Sequence, residues 1–101
     1  MTDSSQFDEL TAKINRETAK IPWSELQKFF AQGRALQVTE GQDLVQIAKW
    51  MAQDNAEELE PLMLSGKFGQ VNDKTAVQWL DDDQLVWAVV SAPWVLVQAV
   101  S

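Results

Sequence analysis

The sequence predicts an α+β domain, with four or five short helices packed on a small, mainly antiparallel sheet that includes the C-terminal apolar strands. Three observations predict it. Apolar residues recur at helical spacing in several short windows. Residues 35–39 (ALQVT) alternate apolar and polar side chains. Residues 85–100 (LVWAVVSAPWVLVQAV) carry no charge, are rich in β-branched residues and follow, one residue on, the acidic run Asp81, Asp82 and Asp83. A run that apolar has to be buried somewhere.

Each element has its own signal. Phe7, Leu10, Ile14 and Ile21 fall at helical spacing, Ser4 or Ser5 can cap, and Asp8 and Glu9 suit the positive end of the dipole, which predicts a first helix over residues 6–20. Pro22 interrupts it. A second helix is predicted from Ser24, with Gln27 at capping-box spacing, Trp23, Leu26, Phe29 and Phe30 on its apolar side and Gly33 as a left-handed C-cap. Residues 35–39 read as a strand with one face on the core, and Glu40 and Gly41 turn the chain. Leu44, Ile47, Ala48 and Met51 mark one face of a third helix, started by Asp43 and ended near Asp54 and Asn55. Asn55, with Glu58 three residues on, can cap a fourth helix through Leu59, Leu62 and Met63, which Pro61 should make short, kinked or late to begin. Phe68 lies between Gly66 and Gly69 in a loop or short strand, and Asn72 or Asp73 starts a last helix through Ala76, Val77 and Leu80. Negative charge opposes the dipole at a helix C-terminus, so the three aspartates are expected beyond that helix, in solvent.

Within the tail, residues 85–90 and 94–100 are two β-rich runs around Ser91, Ala92 and Pro93, either a hairpin or one long strand bent at Pro93. Neither alternates cleanly, so both faces are expected to be covered, by helices on two sides or by a second protomer.

Length and composition bound the rest. A chain of 101 residues with 46% hydrophobic and 23% charged content fits one domain, expected over residues 6–101 after a flexible segment 1–5. Residues 1–39 balance five acids with five bases, whereas residues 40–83 set ten acids against three lysines, so the net charge of −7 arises wholly there. Without a basic stripe, neither nucleic acid nor an anionic membrane surface is an expected partner. The absence of Cys and His removes disulfides, thiolate nucleophiles, the usual zinc sites and imidazole acid–base chemistry. The 16 uncharged residues of the tail fall short of the roughly 20 that a spanning helix requires, and the polar N-terminus lacks the pattern of a secretion signal, which makes the cytoplasm the expected location.

Three blocks, ETAKIPWSELQKFFAQG (17–33), DLVQIA (43–48) and WAVVSAPWVLVQ (87–98), taken together and in this order, resemble a small bacterial family, domain of unknown function 2288. The resemblance spans most of the chain and implies a soluble single-domain protein of about this length. It carries no accepted activity, so it assigns no catalytic role to any residue; it marks IPW and APW as parts of the family pattern.

Asp81, Asp82 and Asp83 offer oxygen ligands, but consecutive side chains diverge and no calcium-loop spacing surrounds them. Asp54, Glu57, Glu58 and Glu60 could pair as acid and base, yet carboxylates so close in sequence form an exposed helix face. Arg16, Lys20 and Lys49 come without a Gly-rich phosphate cradle. Of the five tryptophans, Trp23 and Trp87 are expected in the core and Trp50 is the expected surface aromatic.

The chain thus reads as a non-enzymatic interaction module, a homodimer or an acidic accessory subunit of another protein, with Trp50, Trp94, Val95 and Val97 as candidate interaction surface. No catalytic, cofactor-binding or metal-ligating residue is assigned, and no cofactor is expected. The alternative is a small-molecule binding protein or carboxylate-based enzyme with a pocket between helices and sheet, in which Arg16 and Arg34 orient a polar ligand.

Overall fold

The computed structural model describes residues 9–100; Ser4, Ser5, Phe7 and Asp8, the expected start of the first helix and the segment 1–5 lie outside the described residues. The first described helix, α1 (Glu9–Glu17), ends where Thr18 donates both its N–H (2.9 Å) and its hydroxyl (2.7 Å) to the Ile14 carbonyl. The helix expected to reach residue 20 therefore stops early. Ala19–Pro22 is instead an edge strand, β1, consistent with the bias of a residue before proline toward extended backbone and with the confinement of strand prolines to edges.

Trp23–Leu26 forms a 3-10 turn that runs into α2 (Gln27–Ala31). Ser24 lies inside that turn and makes no capping box. Then follow β2 (Ala35–Val38), α3 (Leu44–Ala52), α4 (Ala56–Leu64), β3 (Phe68–Gln70), α5 (Asp73–Asp81), β4 (Leu85–Ser91) and β5 (Trp94–Ala99). The side chains of Asp43 and Asn72 accept from the N–H groups of Gln46 (3.1 Å) and Thr75 (2.8 Å) and start α3 and α5. Asn55 makes no such side-chain bond, and α4 begins directly at Ala56 and continues through Pro61.

The five strands form one sheet in the order β1-β4-β5-β2-β3, antiparallel except where β5 pairs with β2. The tail is a hairpin, with Val90 opposite Val95 and Ser91 opposite Trp94. Alternate side chains serve two cores. Val86, Ala88, Val95, Val97 and Ala35 pack against Trp23 and Leu26 and against Ala76 and Trp79 of α5. Val89, Leu96, Leu36, Val38 and Phe68 pack against Ile14 of α1 and Leu44, Ile47 and Ala48 of α3. Both faces of β5 are covered by helices of the same chain, which explains why that strand shows no alternation, whereas Leu85, Trp87 and Val90 of β4 stay exposed.

This arrangement corrects two expectations. Val95 and Val97 are 2% and 0% exposed, so they are core residues, and only Trp50 and Trp94 of the expected surface group keep partial exposure. Trp87, expected in the core, is 38% exposed, because the helices on its face cover Val89 and Leu96 but leave the β1 end of the sheet open.

Helices α2 to α5 close in the same way. In each, the N–H two residues past the cap reaches back to a carbonyl five residues earlier: Arg34 to Phe29, Asn55 to Trp50, Lys67 to Leu62 and Gln84 to Trp79, at 2.8–2.9 Å. The preceding residue takes positive φ; it is Gly33 or Gly66 in two cases but Asp54 (53°) and Asp83 (51°) in the others. The aspartate run is thus built into the helix end, with Asp81 as the last helical residue and Asp82 as the cap.

Asp83→Gly should raise stability by about 0.5–1 kcal/mol, since it relieves left-handed backbone and removes a charge that opposes the dipole; thermal unfolding should show a gain of a few degrees. Val97→Asp should abolish cooperative unfolding, because it places an unpaired carboxylate where no solvent reaches.

Candidate functional site

Two adjoining clefts meet where the β2–α3 loop becomes α3. The first lies between α3 and α4 and has a volume of about 300 Å³. Asp43, Gln46, Ile47 and Trp50 face it at positions i, i+3, i+4 and i+7 from the start of α3, and Glu58, Pro61 and Leu62 face it at i, i+3 and i+4 along α4. Two helix stripes thus form its walls, one aromatic and two acidic side chains among them. No Lys or Arg belongs to the described lining.

The second cleft, of about 320 Å³, opens between the end of α1, the start of α3 and the sheet. Asn15 and Thr18 stand on one side, Leu44 and Val45 on the other, and Trp87 and Gln98 rise from β4 and β5. The Lys20 ammonium sits 5.1 Å from the centre of the Trp87 ring, a cation–π contact between residues directly opposed across β1 and β4. Gln98 organises the shared wall: its Nε2 donates to the carbonyls of Thr39 (3.0 Å) and Gln42 (2.7 Å) and ties the loop before α3 to the sheet.

The residues singled out in the sequence separate in space. Trp50 lines the α3–α4 cleft. Trp94 lies elsewhere, in a concavity with Met51, Ala56 and Leu59 near the hairpin turn. Val95 and Val97 face the opposite core. Of the mid-chain carboxylates, Glu58 reaches the first cleft, while Glu57 and Glu60 are exposed and outside its lining. Arg16 belongs to α1 and Arg34 to the turn after α2, and no described cleft brings the two together. Among the described residues no three His, Cys, Asp or Glu side chains gather to hold a metal ion, and no helix is long and apolar enough to cross a membrane. The composition gave no sign of Asp43 and Gln98 at a cleft; only the pairing of α3 with α4 and of β5 with β2 brings them there.

A family model described as "Protein of unknown function (DUF2288)" matches residues 9–99. The chain is also similar to a solved structure, the NMR solution structure of PA1075 from Pseudomonas aeruginosa, at 40% identity and a TM-score of 0.81, covering 100% of this chain and 94% of that one. No curated protein matches.

Replacing Gln98 by Ala should leave the sheet intact and free the loop before α3, at a cost of about 1–2 kcal/mol for two carbonyl contacts. Amide hydrogen exchange over residues 39–46 should accelerate while that of β4 and β5 stays slow.

Proposed function

The chain belongs to this family of unknown function, DUF2288, and we propose that it acts as a non-enzymatic protein-interaction module, an accessory subunit for a basic partner protein. The observation that carries this reading is the α3–α4 cleft, where Trp50 stands with Asp43 and Glu58 in the half of the chain that holds the whole net charge of −7. Tryptophan supplies contact area at low entropic cost, and a one-signed surface steers an oppositely charged partner. Charge also decides between partners: two copies at −7 each repel, so a basic protein fits this face better than a second copy of the chain.

A second reading, a small-molecule binding protein, draws on the Trp87 cleft, which lies between helices and sheet as a ligand pocket commonly does. The two readings move different tryptophans.

Lys- and Arg-rich peptides should bind at low salt, weaken as salt rises and outcompete neutral peptides of equal length, as followed by Trp fluorescence and calorimetry. Equal binding of neutral peptides, or none at all, would refute the proposal. A metabolite that raises Tm and perturbs Trp87 alone would favour the second reading.

A further inference from the structure

Resting on that reading, we propose that the α3–α4 cleft is a socket for one arginine side chain of the partner. Its volume of about 300 Å³ is sufficient to take one side chain. Three features of its lining match the parts of an arginine. Ile47, Pro61 and Leu62 offer apolar surface to the three-carbon stem. Trp50 offers an aromatic ring, on which a guanidinium stacks more favourably than a strongly hydrated ammonium. Asp43 and Glu58 come from different helices and bring two carboxylates to the fork of N–H donors.

The acidic walls are positioned by the fold. One oxygen of Asp43 caps α3 by accepting from the Gln46 N–H at 3.1 Å, which holds that carboxylate at the rim. The loop before it is fixed by Gln98 through the Thr39 and Gln42 carbonyls. Glu58 is exposed on the first turn of a helix that begins directly after the α3 closure, with the Asn55 N–H bonded to the Trp50 carbonyl at 2.9 Å. The two walls are therefore linked by a three-residue connection, and the spacing between Trp50 and Glu58 is set by backbone.

The test compares a short arginine-containing peptide with the same peptide carrying citrulline, which keeps the shape and loses the charge, and with its lysine counterpart. Binding is read by NMR on the full chain through the Trp indole N–H signals. The arginine peptide should shift the Trp50 indole signal and leave that of Trp23 in place, the lysine peptide should bind more weakly, and the citrulline peptide should fail. Glu58→Gln and Asp43→Asn should each weaken the arginine peptide about tenfold or more, the loss of one charged hydrogen bond. Asn still caps a helix and Glu58 is exposed, so both variants should fold, with Tm as the check. Binding of basic peptides with shifts elsewhere, or unchanged affinity in both variants, would overturn the socket and leave the interaction reading standing. Failure of every basic peptide to bind would overturn both.

Discussion

The double-sided burial of β5 is the constraint on which the rest of the structure depends. It is the middle strand of five, and its successive residues Val95, Leu96 and Val97 are 2%, 0% and 0% exposed although they point to alternate faces. A strand of that kind needs apolar cover on both sides, worth roughly 1.5–3 kcal/mol for each fully buried aliphatic side chain. The chain supplies the cover by sending successive connections to opposite faces. The 3-10 turn and α2 follow β1, and α5 follows β3, against Val95 and Val97; α3 and α4 follow β2, and α1 precedes β1, against Leu96.

The first of these layers is pinned by Trp23, which is wholly buried. Its indole N–H donates to the Ala76 carbonyl in α5 at 3.2 Å, and its ring meets Trp79 and Phe30 edge-on at 5.2 and 5.8 Å. Its backbone N–H adds a 2.8 Å bond to the Gln84 carbonyl. A buried indole needs such a partner, and this one joins the end of β1, α2, α5 and the turn into β4. The Trp of IPW is thus a structural residue. Side-chain amides brace the periphery: Gln84 donates to the Leu85 and Val100 carbonyls, Gln70 to the Gly33 carbonyl and Gln98 to the loop before α3. The described core contains no polar or charged side chain.

Much of this frame was legible in the sequence because periodicity reports burial. The caps Asp43 and Asn72, the strand near Leu36 and the dense tail all follow from spacing and turn chemistry. What escaped depends on long-range pairing. Ile21 continues the helical spacing of Leu10 and Ile14, yet it pairs with Val86 as part of β1, and no local rule reveals that edge. Trp87, Val95 and Val97 belong to one uniform apolar run, so the run itself cannot tell which residue lies beneath helices and which lies at the uncovered end of the sheet. For the cleft, Trp50 could be read as a surface aromatic from its place beside the α3 core stripe. Its acidic companions required knowing that α4 folds back along α3.

The placement of charge bears on what the surface is for. Two of the four helix closures use Gly at the left-handed position, and two use Asp54 and Asp83. An L-residue there strains the backbone, and a carboxylate at that end opposes the helix dipole. Solubility alone would be served by acids at any exposed position, including those that suit the dipole. Apart from Asp43, which caps α3, and Glu57, Glu58 and Asp73, which sit in first helical turns that suit the dipole, the acids of residues 40–83 do little for the architecture. At Asp54 and Asp83 the chain thus departs from local consistency between sequence and backbone. The acidic walls around Trp50 are one place where that charge meets a concave, partly apolar surface.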